Sequence, residues 1–281
     1  MPCYYPLRLP HLEHSVPCGR CIGCRLERSR MWATRCMNEA NLHRDNCFIT
    51  LTYSDKNLPV GLGGAGNPTL WPWDLTKFFK RLRKKYGRGN DGTGIRYFAC
   101  GEYGTQTIRP HYHACVFNLD FADKIPWQKT GENILYRSES LEKIWGFGHC
   151  LIGAVTFESA AYVARYVVEK LNGPAASYYE EQSIEPEFVR MSRRPGIGQK
   201  HFELYQSDIY PHDSCVINGV NTKPPRYYDK LLKNNNVKMY ENIKNNRIIK
   251  SNKISIYEKM PKRLSVKERI ALSKLKSRSV I

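Results

Sequence analysis

Three kinds of feature are missing from this chain of 281 residues, and each absence excludes a class of protein. No apolar run approaches the roughly 18 residues that a transmembrane helix needs, so we expect no membrane partner. The first residues lack a basic end followed by an apolar core, so we expect no signal peptide and a soluble, intracellular protein. The pattern Gly-x-x-x-x-Gly-Lys-Ser/Thr is absent, which excludes a P-loop ATPase and predicts that any helicase acting with this chain is a separate protein.

Acidic residues are few relative to basic ones. The chain has 26 Asp and Glu against 44 Lys and Arg, a formal charge of +18, which favours a polyanionic partner and nucleic acid first. Residues 222–281 contain 17 basic and 4 acidic residues, a net charge of +13, so the rest of the chain carries only +5. The C-terminal part is therefore predicted to be a cationic appendage to a nearly balanced body.

The ten cysteines are too few, in a chain of this length, for a small disulfide scaffold. Cys18, Cys21 and Cys24 form Cys-x-x-Cys-x-x-Cys, but the second Cys-x-x-Cys pair of many zinc sites is missing. A structural zinc ion would need a fourth ligand, for which Cys3, Cys36 and a histidine are the candidates. A turn of reduced cysteines packed on the core is the other interpretation, and both stay open here.

Hydrophobic periodicity predicts alternating strands and helices. The predicted strands cover residues 47–53, 95–103, 111–118 and 150–157, and the predicted helices cover residues 25–43, 74–85, 140–145 and 159–171. From the first strand onwards the order is strand, helix, strand, strand, helix, strand and a further helix. This is the βαββαβ pattern of a ferredoxin-like α+β fold, with one antiparallel sheet covered by helices on one face.

Polar residues mark the expected starts of three helices. Asp74 is predicted to cap the second helix, and Ser159 the helix that follows the fourth strand. Ser265 and Glu268 form a capping box that would open a last basic helix.

His111 and His113 follow Pro110 at the start of a predicted strand. Residues two apart on a strand point to the same face, so both imidazoles could bind one metal ion. The register of a hairpin from Glu102 to His113 would bring a carboxylate beside them. With only two or three protein ligands, Mg²⁺ or Mn²⁺ would suit the site. The alternative is an ordinary polar pair on a strand.

Tyr162 and Tyr166 are four residues apart on a predicted helix, so their hydroxyls lie on the same helix face. Tyrosines at this spacing usually face a core, which is the alternative interpretation. Next to a metal site, they suggest attack on a DNA phosphate, giving a 5′-phosphotyrosine link and a free 3′ hydroxyl. Two tyrosines would allow two successive transfers. Lys170, one turn further on, would stabilise the phosphate or merely solvate the helix end.

Three segments resemble the motifs of rolling-circle replication initiators of the HUH endonuclease superfamily. They are Phe48-Ile-Thr-Leu-Thr, Pro110-His-Tyr-His113 and Tyr162-Val-Ala-Arg-Tyr166. Four longer phrases resemble the initiators of microviruses, in their gokushovirus group. They are Pro17-Cys-Gly-Arg-Cys-Ile-Gly-Cys24, Gly101-Glu-Tyr-Gly104, Ser159-Ala-Ala-Tyr-Val-Ala-Arg-Tyr166 and Met191-Ser-Arg-Arg-Pro-Gly-Ile-Gly198.

The resemblance implies an HUH-type nickase with two catalytic tyrosines, acting in the cytoplasm of a bacterial host. Its partners would be the single-stranded and supercoiled viral DNA origin, the host helicase and the host DNA polymerase. His111 and His113 would bind the metal, with Glu102 as the third ligand, although that ligand varies in position in the superfamily. A related pattern has lysine three residues after the second tyrosine, where this chain has Glu169 followed by Lys170.

The resemblance, which covers residues 2–229, and the basic composition of the remaining residues together suggest four segments. They are a cysteine-rich N-terminal segment and helix (1–45), an endonuclease core (46–173), a family-specific extension (174–228) and a basic tail (229–281), which we expect to be marginally ordered without DNA. A plasmid initiator, relaxase or transposase of the same superfamily is an alternative, although a single tyrosine suits most of these better. A zinc-dependent nucleic-acid-binding module without catalysis and a zinc hydrolase using His111 and His113 are further alternatives.

Overall fold

The structure is a computed structural model, and it describes residues 3–12, 15–61, 66–104, 107–131, 133–169 and 176–278. The chain divides into two units. The terminal unit comprises Met1–Trp32 and Tyr205–Ile281, and the sheet unit comprises Ala33–Leu204. The four-segment division made from the sequence stays a prediction.

A seven-stranded antiparallel sheet forms the centre of the sheet unit. Its strands are β1 (Asn46–Thr52), β2 (Arg96–Tyr103), β3 (Pro110–Phe117), β4 (Ile125–Thr130), β5 (Asn133–Arg137), β6 (Cys150–Gly153) and β7 (Phe188–Met191). They lie in the order β4-β5-β6-β1-β3-β2-β7. The four predicted strands are the contiguous group β6-β1-β3-β2. The other three were missed because β4 and β5 expose apolar residues such as Trp127, and β7 has only four residues.

Helices complete an α+β structure, which confirms the predicted class. The first six are α1 (Ile22–Ala40), α2 (Pro72–Tyr86), α3 (Glu139–Trp145), α4 (Phe157–Glu169), α5 (Ser177–Glu181) and α6 (Gln199–Ile209). The terminal unit adds a hairpin of β8 (Cys215–Ile217) and β9 (Val220–Thr222), and the helices α7 (Arg226–Asn235), α8 (Val237–Asn252) and α9 (Pro261–Arg278). Short 3-10 helices cover Asp55–Asn57 and Ile256–Lys259.

One face of the sheet carries the main hydrophobic core. Alternate residues of β1 and β3, including Ile49, Leu51 and Val116, are buried there. The apolar residues of α2 lie at the predicted helical spacing and pack on this face together with α3; they are Leu75, Phe78, Phe79 and Leu82. Because side chains alternate along a strand, the residues between these point to the opposite face.

Helices also cover the opposite face, so the expectation of helices on one face is wrong. Helix α4 packs on β2, β3 and β7, and its Tyr162 ring lies 5.0 Å from the His113 ring. The buried thiol of Cys36, on α1, contacts that of Cys115 on β3. The βαββαβ pattern accounts only for α2 and α3, whereas β2 and β3 are buried on both faces and need a second layer.

Three predicted helix starts are corrected. Helix α2 begins at Pro72, so Asp74 lies inside its first turn, where it accepts a hydrogen bond of 2.9 Å from the Tyr53 hydroxyl. Thr156 caps α4 instead of Ser159, and the two exchange hydrogen bonds between hydroxyl and backbone N–H of 2.8 and 3.1 Å. Helix α9 begins at Pro261, so Ser265 lies within it. Proline is well suited to a first helical turn and moves two of these starts upstream.

The basic C-terminal part contributes to the core of the terminal unit. Tyr228, Leu232 and Ile243 are buried. The Arg247 guanidinium forms ion pairs with Asp213 and Asp229. Among the described residues, no helix is both long enough and apolar enough to cross a membrane.

Candidate active site

The hairpin of β2 and β3 brings three predicted ligands to one face of the sheet. In its register Glu102 pairs with His111. Paired residues on neighbouring strands share a face, and His111 and His113 are two residues apart, so the three side chains emerge together. The predicted hairpin, with its carboxylate beside both imidazoles, is confirmed. This is the sheet face that α4 covers.

One carboxylate oxygen lies at the centre of the group. Oε1 of Glu102 is 2.7 Å from Nε2 of His111 and 2.9 Å from Nε2 of His113. The other oxygen, Oε2, is buried and has no hydrogen-bond partner among the described residues. An unpaired buried carboxylate oxygen is costly, and a bound cation would satisfy it. Ligand atoms of all three residues lie within 4.8 Å of one another, close enough to share one ion.

The outward ring nitrogens are held by neighbouring groups. Nδ1 of His111 donates to the Arg109 carbonyl oxygen at 3.0 Å, because a carbonyl can only accept. Nδ1 of His113 lies 2.9 Å from the Thr50 hydroxyl, which can donate or accept. With Nδ1 engaged in this way, each histidine turns Nε2 towards the shared position, as metal-binding histidines commonly do.

Electrostatics in this group favour the charged pair of Glu102 and His111. Burial acts to raise the pKa of the Glu102 carboxyl, but hydrogen bonds from His111 and His113 outweigh it and the pKa is lowered. Burial acts to lower the pKa of His111, yet the hydrogen bond to Glu102 raises it overall. Burial lowers the pKa of His113. Glu102 is therefore ionised, as a metal-binding carboxylate must be, and a metal ion would replace the proton that His111 shares with it.

Helix α4 places Tyr162 against the same carboxylate. The Tyr162 hydroxyl donates to Oε1 of Glu102 at 3.1 Å, and its ring meets the His113 ring edge to face. Tyr166 lies one turn later on α4, and its side chain is outside the described residues. Lys170 also lies outside them. The structure thus joins Tyr162 to the three ligands and leaves the roles of Tyr166 and Lys170 as predictions.

Two residues of β1 belong to the site although the sequence did not assign them a role. Thr50 orients His113, and the Phe48 ring stacks on the His113 ring, with centroids 5.5 Å apart and planes 12° apart. Both lie in the segment Phe48-Ile-Thr-Leu-Thr, one of the three motifs of the family resemblance. Their even spacing on a strand next to β3 was the available signal, since alternate residues share the sheet face of the histidines.

The cysteines of the N-terminal segment form a separate group in the terminal unit. Cys3, Cys18, Cys21 and Cys24 have ligand atoms within 4.8 Å of one another. Cys36, the other cysteine considered as fourth ligand, belongs to the sheet unit and contacts Cys115.

Comparisons with known proteins identify a family and several relatives of this chain. The family described as replication-associated protein ORF2/G2P matches residues 46–171, which include all three ligands and both tyrosines. The chain is 39% identical over 230 residues to "Replication-associated protein ORF2" of Spiroplasma virus 4, covering 79% of this chain and 69% of the relative. No solved structure matches the chain.

Two further relatives carry similar names. "Replication-associated protein VP4" of Bdellovibrio phage phiMH2K is 36% identical over 227 residues, covering 79% of this chain and 68% of the relative. "Replication-associated protein ORF4" of Chlamydia phage 1 is 26% identical over 223 residues, covering 78% of this chain and 53% of the relative. All three relatives are microvirus proteins. The chain therefore belongs to the replication-associated protein ORF2/G2P family, in its microvirus branch.

Proposed function

We propose that this protein is a rolling-circle replication initiator that nicks the origin of viral DNA by attack of a tyrosine on a phosphate. One observation carries the proposal: the Tyr162 hydroxyl lies 3.1 Å from the Glu102 oxygen that both histidines contact. A nucleophile beside a cation site is what transfer of a phosphodiester requires. The strand order β6-β1-β3-β2, which is that of a ferredoxin-like βαββαβ sheet, supports the assignment to the HUH superfamily.

The three ligands would hold Mg²⁺ or Mn²⁺. Oε2 of Glu102 is buried and has no hydrogen-bond partner among the described residues. Together with the Nε2 atoms of the two histidines, it offers a set of ligand atoms that fits such an ion. Held by Glu102, His111 and His113, such an ion would supply positive charge to offset that of the attacked phosphate.

In this proposal Tyr162 would act as the nucleophile. Its hydroxyl donates to Oε1 of Glu102, so its proton has an acceptor within reach. Attack forms a bond from the tyrosine oxygen to phosphorus and breaks the bond to the 3′ oxygen, which leaves as a 3′ hydroxyl after taking a proton. One phosphodiester replaces another, so a later attack by a 3′ hydroxyl restores the strand and the tyrosine without ATP.

Tyr166 and Lys170 are assigned from the sequence of α4 and the residues after it. One turn separates Tyr162 from Tyr166, so a second tyrosine would be available for a second transfer that releases a closed single-stranded circle. Lys170 would offset the phosphate charge. The host DNA polymerase and helicase would extend and unwind the strand at the 3′ end, since the chain has no P-loop of its own. The protein would act in the cytoplasm of the bacterial host.

A covalent-trapping assay tests this function. The pure protein is incubated with Mn²⁺ and single-stranded oligonucleotides tiled over a microvirus origin, and the products are run on a denaturing gel. We expect a protein–DNA band that needs the metal, persists in Tyr162→Phe and Tyr166→Phe, and disappears in the double variant. Tyr178→Phe is the matched control, because Tyr178 is a half-exposed tyrosine on α5 outside the site.

Other results would change the assignment. If one single variant abolished the band, there would be one nucleophile and no passage of the strand between tyrosines. We expect His111→Ala to lose DNA cleavage and to keep salt-sensitive DNA binding. If this variant nicked DNA normally, the assignment of the metal site would be wrong. If neither the oligonucleotides nor supercoiled replicative DNA were cut while binding persisted, the protein would be a nucleic-acid-binding module.

A further inference from the structure

Four thiols lie close together in the terminal unit, and the proposed nicking reaction uses none of them. The Sγ atoms of Cys18 and Cys24 are 4.0 Å apart, and so are those of Cys3 and Cys21. All four cysteines are free thiols, and a disulfide would need sulfurs about 2.05 Å apart. A zinc ion with four sulfur ligands at about 2.3 Å places the sulfurs about 3.8 Å from one another. The observed spacing is therefore that of a metal site.

The backbone around the thiols orients them. Gly19, between Cys18 and Cys21, has a φ of +76°, a conformation that favours glycine and allows the tight turn between the two ligands. The Cys21 amide donates to Sγ of Cys18 at 3.3 Å, and the Cys18 amide donates to Sγ of Cys3 at 3.2 Å. Amide N–H groups directed at sulfur stabilise thiolates and fix the direction of their lone pairs.

The surroundings offset the negative charge that four thiolates would bring. Four thiolates and one Zn²⁺ have a net charge of −2. Arg28 and Arg226 line the same small cavity as Cys3 and Cys24, together with one acidic residue, Glu27, so the charged side chains there sum to +1. Cys24 also lies in the first turn of α1, where the helix dipole favours negative charge.

We propose that Cys3, Cys18, Cys21 and Cys24 bind one structural zinc ion. Soft thiolate ligands in a closed set of four select zinc, and a complete set leaves no open position for chemistry. We take Cys3 as the fourth ligand, because its thiol lies within 4.8 Å of the other three, whereas the Cys36 thiol contacts that of Cys115. The sequence alone left this choice open.

The zinc ion would hold the N-terminal segment in place within the terminal unit. Cys3 and Tyr4 pack with Cys21, and Ala271 of α9 packs against this group. The Tyr5 hydroxyl donates to the Glu268 carboxylate, also on α9, at 2.6 Å. Few apolar residues pack around the N-terminal segment. Metal binding would therefore supply much of the free energy that keeps this segment folded.

Metal analysis of the full chain tests the proposal. The protein is purified under reducing conditions, its zinc content is measured by mass spectrometry, and Co²⁺ is titrated into the metal-free chain. We expect one zinc ion per chain and a cobalt spectrum with thiolate charge-transfer bands and the strong visible bands of a tetrahedral site. Cys3→Ser, Cys18→Ser and Cys24→Ser should each lose the bound zinc and the tetrathiolate spectrum.

Two controls separate this site from the others. Cys36→Ser should keep the zinc and the spectrum, and so should the double variant His111→Ala with His113→Ala, because neither residue is a ligand here. A wild-type chain that is folded but binds no zinc and gives no thiolate–cobalt bands would overturn the proposal, even if serine variants failed to fold. Zinc lost in Cys36→Ser and kept in Cys3→Ser would overturn the choice of the fourth ligand.

Discussion

At the scale of single residues, Thr50 on β1 orients the His113 ring on β3. Its hydroxyl is 2.9 Å from Nδ1 of His113 and fixes which ring nitrogen faces Glu102. Thr50→Val keeps the shape of the side chain and removes this hydrogen bond. We expect Mn²⁺ affinity, measured by calorimetry, to fall by about tenfold, because groups that orient a metal-binding histidine typically contribute that much.

Thr52→Val is the matched control for this change. Thr52 lies two residues along the same strand face, and its hydroxyl donates to the His149 carbonyl oxygen instead of to a ligand. Its Mn²⁺ affinity should match that of the wild type. Equal losses in the two variants would mean that β1 acts through general packing and not through the Thr50 hydrogen bond.

Glu39 is a second residue whose charge matters, in this case for stability. It is buried, pairs with Arg96 and accepts a hydrogen bond of 2.6 Å from the Gly198 amide. Burial acts to raise the pKa of its carboxyl, but the His43 ring 4.0 Å away, the hydrogen bond from the Gly198 amide and the charge of Arg96 lower it below the ordinary 4.5. Above pH 4.5 the Glu39 carboxyl is ionised in both the folded and the unfolded chain, so its full contribution to the free energy of unfolding is present. This contribution is lost as the pH falls through the lower pKa that Glu39 has in the folded chain.

Glu39→Gln should therefore destabilise the protein most near neutral pH. We expect the free energy of unfolding in urea to fall by about 3 kcal/mol at pH 7, because Arg96 is left without its buried partner. The gap between wild type and variant should narrow as the pH drops below 4.5. A gap that stays constant with pH would mean that packing, and not the charge of Glu39, causes the loss.

At the scale of elements, the connection between α3 and β6 constrains the end of β1. A Cβ atom at Gly148 would lie 2.4 Å from the Thr52 carbonyl oxygen and 2.5 Å from the Ser54 nitrogen. Both are backbone atoms and cannot move aside cheaply. We expect Gly148→Ala to lower the free energy of unfolding by about 1–3 kcal/mol, since overpacking of this kind forces the backbone to shift.

Gly153→Ala is the control for this element. A Cβ there would meet Leu135 at 3.5 Å and Phe48 at 3.9 Å, which are ordinary contacts. Urea unfolding should show a change within about 0.5 kcal/mol, as for a substitution without strain. If both alanine variants lost the same stability, the close approach of Gly148 to β1 would not be the cause.

At the scale of the whole molecule, the uneven charge suggests which part contacts DNA. The basic C-terminal part is helical in the structure and includes buried residues, so deleting it would remove part of a core as well as charge. Substitution of exposed lysines is the cleaner test. Lys238, Lys250 and Lys253, on α8 and at its end, are exposed.

Changing these three lysines to glutamine should weaken DNA binding and flatten its salt dependence. The slope of log K against log salt should fall by about one for each lysine that contacts a phosphate, measured by fluorescence anisotropy. Changing Lys56, Lys129 and Lys143, which are exposed in the sheet unit, removes the same charge and should leave the slope unchanged. Equal effects of both sets would indicate that net charge alone, and not a C-terminal contact surface, governs binding.

Local spacing in the sequence was enough to predict the α+β class, the four central strands and the hairpin of β2 and β3. Period-two and helical spacings carry this information locally, and residues two apart on a strand must share a face. The same rule places His111 and His113 side by side from their spacing alone. The hydrophobic pattern did not identify β4 and β5, because their exposed apolar residues do not alternate with polar ones as in a half-buried strand.

Contacts between residues distant in sequence were found only in the three-dimensional structure. Helix α4 lies on the sheet face opposite α2 and α3, so Tyr162 reaches Glu102, and Thr50 and Phe48 hold His113. The structure also selects Cys3 over Cys36 beside the other three cysteines. These contacts depend on which elements pack against each face of the sheet. A periodic pattern shows that a face is buried but does not show what covers it.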